Sequence, residues 1–188
     1  IDAGARLGLA YITLGVVSSP IEGLTEIRLL KNKNGKEYFS PYYSGPIRSA
    51  GGTGAAFSLV IIDHLREIFG FAKYEPTEEE INRTVTELND YHERITNLQY
   101  MPSQEEIKLL AGKIPIQVSG EASEKIEVSN YKNLERIETN FIRSGFCLVF
   151  GEGLAQKAAK IKRYVKALRE KGFKLSEWDF LDEYIELH

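Results

Sequence analysis

The sequence predicts an α+β domain of mixed topology, with small antiparallel or mixed sheets packed by four or five helices. Three observations carry that prediction. A roughly alternating run, Leu24 to Leu30, is followed by Asn34-Gly35 and an aromatic extended run, Tyr38 to Tyr43, the pattern of a hairpin about a type I′ turn. Two capping boxes, Thr77-Glu-Glu-Glu80 and Ser103-Gln-Glu-Glu106, each open an apolar pattern at helical spacing. From Ile114 the apolar period falls to two, through Ile116 and Val118 and again at Ile126 and Val128.

Taken in order, residues 1–17 are small and apolar with Gly4, Gly8 and Gly15, an element buried against neighbours for which helix and strand both stay open. The run Leu7 to Val17 is too short for a membrane span and lacks a basic leader, so a cytoplasmic location without membrane contact is expected. The first residue is Ile1 rather than methionine, the mark of a piece of something longer. It reads as one N-terminal domain over residues 1–188, with a subdomain boundary open near Lys113, where helix gives way to strand.

Pro41 places the second hairpin arm at an edge or a strand end. A loop carrying Gly45, Pro46, Gly51, Gly52 and Gly54 follows, then a helix with Thr53 as N-cap, Phe57, Ile61, Leu65 and Ile68 on one face and Gly70 as a left-handed cap. The first capping box starts a helix through Ile81, Val85, Leu88 and Ile95; the second starts a shorter one through Ile107 and Leu110 to Gly112. Seven acidic residues and one basic residue, Arg83, lie between Glu75 and Glu93, the pattern of a solvated helix face. The two alternating stretches after Ile114 read as paired strands across Ser119 to Ser123. Tyr131 to Ser144 reads as irregular or a short helix, and Phe146 to Phe150 as a fully buried strand. Gly151-Glu-Gly153 then turns that strand into a long helix with Leu154, Ala158, Ile161, Val165 and Leu168 on one face and Gly172 at its end. The tail, Ser176 to His188, is an acidic amphipathic helix that docks on its own domain or holds a partner.

The net charge of −3 argues against a protein that coats nucleic acid over its whole surface and makes local charge decisive. The strongest local excess is on the long helix, where Lys157, Lys160, Lys162, Arg163, Lys166, Arg169 and Lys171 face only Glu170. Lys157, Lys160, Arg163 and Lys166 are the candidates there for phosphate contact. Arg48, Ser49, Gly51, Gly52 and Thr53 could form a second anion site from free N–H groups, the helix dipole and a guanidinium. Local features favour a different reading, in which the glycines let a buried helix approach its strand closely. Trp178, Leu181, Tyr184 and Ile185 are the partner-docking candidates. Cys147 reads as a buried structural thiol, and His64, His92 and His188 have no metal-ligand spacing, so no metal is expected from these residues. No catalytic triad and no close carboxylate pair is found. A free-standing phosphate- or nucleotide-binding enzyme that uses Ser49 to Thr53 would need such a pair.

Four stretches carry a resemblance: Gly8-Leu-Ala-Tyr-Ile-Thr-Leu-Gly-Val-Val17, Gly35-Lys-Glu-Tyr-Phe-Ser40, Tyr43-Ser-Gly-Pro-Ile-Arg-Ser-Ala-Gly-Gly-Thr53 and Arg143-Ser-Gly-Phe-Cys-Leu-Val-Phe-Gly-Glu-Gly153. With them the whole chain resembles the N-terminal region of the large subunit of archaeal D-family DNA polymerase, also called DNA polymerase II. The resemblance implies a heterodimeric replicative DNA-directed DNA polymerase, a nucleotidyltransferase whose small subunit is a 3′–5′ exonuclease. It implies Mg2+ and zinc for the intact enzyme, and as partners the small subunit, template-primer DNA and the sliding clamp. Its catalytic aspartates would lie further along the large subunit. On that basis this fragment is expected to be non-catalytic, serving as a scaffold for subunit assembly and a contact to the DNA backbone, with assembly favoured.

Overall fold

The computed structural model describes Ala3 and residues 23–188. The element expected over residues 1–17 otherwise lies outside the described residues. Strands β1 (Leu24–Lys31) and β2 (Glu37–Tyr43) lead through a 3₁₀ turn, Gly45–Ala50, into α1 (Gly51–Phe69). Helices α2 (Glu78–Arg94) and α3 (Gln104–Lys113) precede the short strand β3 (Ser119–Gly120). One continuous helix then runs from α4 (Ser144–Cys147) through a π-helical segment, Leu148–Ala155, into α5 (Gln156–Glu170), and α6 (Phe180–Leu187) closes the chain. This is an α+β fold: helices pack a mixed three-stranded sheet of order β1-β2-β3, antiparallel between β1 and β2 and parallel between β2 and β3.

The hairpin forms where the alternation places it, with Leu29 opposite Phe39 and Lys31 opposite Glu37. Its turn is not type I′. Gly35 N donates to Asn32 O (2.8 Å) and Asn32 N to Lys36 O (2.9 Å), so Lys33, Asn34 and Gly35 form a three-residue loop. Gly35 alone of the three has positive φ, at 81°, the left-handed position of a type I turn with a bulge. Pro41 sits in the middle strand rather than at an edge or strand end. The parallel neighbour explains how it is tolerated. Gln117 N donates to Phe39 O (3.0 Å), and a parallel ladder would have residue 41 donate back to Gln117 O. Proline cannot, and Ser40 Oγ takes that carbonyl instead (3.1 Å).

Both capping boxes form as the sequence predicts, with Thr77 and Ser103 each accepting from the N3 amide and receiving its glutamate in return. Gly70 is the left-handed cap of α1 (φ 72°, ψ 25°), with Phe71 N donating to Arg66 O (3.1 Å). Gly172 (φ 85°) ends α5 in the same way, with Phe173 N on Leu168 O (3.0 Å). Thr53 is not the N-cap of α1. The helix already begins at Gly51, after Ala50, with no side-chain cap. The buried face of α1 is also rotated from the expected one: Ala55, Leu59 and Ile62 are buried, whereas Phe57, Ile61 and Leu65 are half-buried and Ile68 is exposed.

Two further expectations are corrected. The alternating stretches after Ile114 do not pair with each other. Residues 117–120 follow β2, while Val128 N donates to Asn140 O (2.8 Å) and Ile142 N to Ile126 O (2.9 Å). Period two reports an extended backbone with one face buried, which Ile116 and Val128 satisfy at full burial, but it does not name the neighbouring strand. Phe146 to Phe150 is helical, not a strand. A short apolar run is compatible with either when every side is buried, and here the π segment is buried throughout.

The core runs as one cluster from Leu24 to Tyr184, across residue 113, through Phe39, Leu59, Leu88, Ile107, Val149 and Ile161. The tail is tied to it by Asp63, which is fully buried and accepts from Ser176 N (2.8 Å), Ser176 Oγ (2.6 Å), Trp178 Nε1 (2.9 Å) and Arg66 Nε (3.0 Å). Asp63→Ala strands these donors in an apolar setting. It should destabilise by at least about 1–3 kcal/mol and expose the α5–α6 connection to limited proteolysis, read as cleavage between residues 171 and 180.

Candidate nucleic-acid interface

The acidic stretch on α2 is not simply a solvated face. Glu80, Glu87 and Asp90 are buried and serve as internal acceptors. Glu87 sits between two guanidiniums: Arg83 Nε at 3.0 Å on one oxygen, and Arg143 Nη2 at 2.8 Å and Nε at 3.0 Å bridging both. Burial alone would raise its carboxyl, but the two arginines, Arg143 above all, outweigh burial and hold it below the ordinary value. Arg136 binds Glu80 (2.6 Å) in the same manner, and Asp90 Oδ2 accepts from Ser129 N (2.6 Å). Arg136 and Arg143 come from the irregular segment 131–143, so their charge cements that segment to α2. Sequence spacing could not show these two pairs, because each spans more than fifty residues; only Arg83 is near its partner in sequence.

The glycine loop is organised by close packing, but against the π-helical segment rather than the expected strand. A Cβ on Gly52 would lie 2.2 Å from Glu152 O, in the π segment, and Gly153 returns the contact against Ala55 and Ala56. Arg48, Ser49 and Gly51 are exposed, and Thr53 is half-buried inside α1. Arg48 Nη2 lies 3.9 Å from Glu152 Oε1, whose side chain is largely buried and accepts from Gln99 N (3.1 Å). An anion approaching this loop would therefore meet a carboxylate beside Arg48.

The basic helix is arranged differently. Ala158, Ile161 and Val165 anchor α5 in the core, which turns Lys160, Arg163 and Lys166 to solvent and leaves Lys157 half-buried beside Gly52. Two of its cations are used internally: Lys162 pairs with Asp182, and Arg169 with Asp179 (3.1 Å). Lys157, Lys160, Arg163 and Lys166 have no ion pair among the described residues. The tail that supplies the two carboxylates buries Trp178, Leu181 and Tyr184 in this chain's own core and leaves Ile185 exposed. The tail thus docks on its own domain.

Candidate acid–base and metal groups are dispersed. His64 Nδ1 meets Lys174 O (2.6 Å), His92 Nδ1 accepts from Leu98 N (3.0 Å) and His188 Nδ1 meets Tyr100 Oη (2.8 Å). Cys147 is buried, and burial pushes its thiol well up, away from a reactive thiolate. Among the described residues no group of three or more His, Cys, Asp or Glu is arranged to hold a metal, and no helix is long and apolar enough to cross a membrane. Sequence reasoning missed the groove between α1 and α5, where Phe57 and Tyr164 meet edge to face at 5.4 Å. Tyr164 was its signal, the lone aromatic in a run of lysines and arginines.

The family described as "DNA polymerase II large subunit DP2, N-terminal" matches residues 1–187. The chain is 52% identical over 188 residues to the DNA polymerase II large subunit of Nanoarchaeum equitans, covering all of this chain and 15% of that protein. It is 47% identical over 182 residues to that of Methanosarcina barkeri (97% of this chain, 15% of that protein). Identity to that of Methanothermobacter thermautotrophicus is 45% over 183 residues (97% and 16%). The chain thus spans about one-sixth of the length of these curated relatives. A match over nearly every residue, at these identities, places the chain in the DNA polymerase II large subunit family, as the N-terminal region of such a subunit.

Proposed function

We propose that this region is a non-catalytic domain of the large subunit of a replicative DNA-directed DNA polymerase, and that the exposed row of α5 holds template-primer DNA by its phosphates. The observation that carries this is the row Lys160, Arg163 and Lys166, exposed on a helix whose other side is fixed in the core and with no carboxylate partner among the described residues. Such contacts position a duplex without reading its sequence. The glycine loop contributes by packing, since Gly52 and Glu152 are already in contact. Nucleotide addition, and the Mg2+ and zinc that go with the intact enzyme, belong on this reading to residues beyond the described ones. The same holds for contacts to an exonuclease small subunit and a sliding clamp.

The test is the triple charge reversal K160E/R163E/K166E in the assembled polymerase, with primed-template binding measured against salt. The expected result is weaker binding at low salt and a slope of log K against log [salt] shallower by about 0.9 for each phosphate that is no longer neutralised. An unchanged slope in a variant with unchanged thermal unfolding overturns the proposal.

A further inference from the structure

The face shared by α1 and α5 carries an apolar groove that neither the core nor the basic row accounts for. Thr53, Phe57, Tyr164, Ala167, Leu168 and Lys171 line it, around a volume of about 300 Å³. Past Lys171 the surface continues into a second hollow at His64, Ile68 and Phe173. Ile68 is 54% exposed and Phe173 44%, a concentration of large apolar side chains that ordinary surfaces avoid. The rim has one sign of charge. Lys171 and Lys174 line it with no ion pair among the described residues, and Glu67 on α1 is taken by Arg66.

We propose that this groove docks an acidic amphipathic helix from a part of the large subunit outside the described residues. Two flanking helices present the space a third helix fills, with an apolar stripe at i, i+3, i+4 and i+7. Carboxylates beside that stripe complement Lys171 and Lys174, which fixes orientation more than affinity. Charge complementarity selects an acidic occupant, and the aliphatic lining of Leu168, Ala167 and Ile68 selects protein over nucleic acid. Single-stranded nucleic acid would want open ring faces for stacking, whereas Phe57 presses edge to face on Tyr164 and is itself half-buried. The proposal is independent of the phosphate contacts of α5, because it rests on the groove with Lys171 and Lys174 and not on Lys160, Arg163 or Lys166.

The experiment places a photo-cross-linking amino acid at Lys171 in the purified, assembled polymerase and identifies the adduct by mass spectrometry, with and without primed template. The expected adduct is a segment of the large subunit outside the described residues, rich in Asp and Glu, with apolar residues at helical spacing; a small-subunit segment overturns the proposal. That segment, made as a peptide, should bind the assembly from which it has been deleted. Leu168→Ser should weaken that binding about tenfold, while leaving the salt slope for DNA unchanged. A basic or non-helical segment, an adduct with DNA, or no adduct at all overturns the proposal. A Leu168→Ser variant that binds the peptide normally does the same.

Discussion

Glu87→Leu should destabilise the chain by about 3–5 kcal/mol, because it leaves Arg83 and Arg143 buried without a counter-charge. Both guanidiniums have essentially no exposure, so neither can turn to water. They are also tied elsewhere: Arg83 to the Tyr131 and Thr139 carbonyls (3.2 and 2.9 Å), and Arg143 to Ser119 Oγ (3.3 Å). The measurement is a fall in the denaturant midpoint at constant slope. Replacing all three charges with Leu or Met should recover part of the stability but not all of it, since the anchors on segment 131–143 go as well. The same carboxylate sets a pH dependence. Its folded value is depressed below the ordinary 4.5, so its contribution is fully present above about 4.5 and falls away as the pH drops through the lower folded value. Glu87→Gln should flatten the acid limb of stability against pH. An unchanged limb would show that other carboxyls carry it.

Gly52→Ala is expected to cost about 1–3 kcal/mol or more, because the added methyl would meet a backbone oxygen, Glu152 O, at 2.2 Å. Both partners sit inside helices and neither can move without shifting its whole element. Gly112→Ala is the control. Its Cβ would meet only Ile81 Cδ1 at 3.6 Å, an ordinary contact, and the change should stabilise α3 by up to about 1 kcal/mol. Thermal unfolding of the two variants separates a packing role for the glycine loop from one confined to anion binding. A Gly52→Ala variant as stable as the parent would remove the packing role.

What the sequence showed directly is what is decided within a few residues. The capping boxes at Thr77 and Ser103 and the glycine caps at Gly70 and Gly172 depend on neighbours one turn away, and each stands where the spacing puts it. Leu24 to Tyr43 likewise contains both halves of its own pairing. The misreadings share a different cause. Phe146 to Phe150 looks like a strand because an apolar run has no period when every face is buried. Glu80 and Glu87 look solvated because Arg136 and Arg143, the arginines that carry their burial, lie far along the chain, Arg83 alone being near in sequence. Phe57 looks like core because α1 is apolar on nearly all sides, so no stripe tells which side meets the sheet. The basic row was legible because surface charge needs no partner to be noticed. Its two internal pairs, Lys162 with Asp182 and Arg169 with Asp179, became visible only once the tail was seen folded back.

The π segment at Leu148–Ala155 bears on where that row aims. Hydrogen bonds from i to i+5 wind the backbone more widely than an α-helix, so successive side chains advance through a smaller angle over those eight residues. By the time the helix reaches Gln156 it is out of phase with the α-helical continuation of Ser144–Cys147. Lys160, Arg163 and Lys166 therefore point along a bearing set inside the core, several turns upstream. Any change that let Leu148–Ala155 rewind as α-helix would swing the cations around the axis without altering one of them.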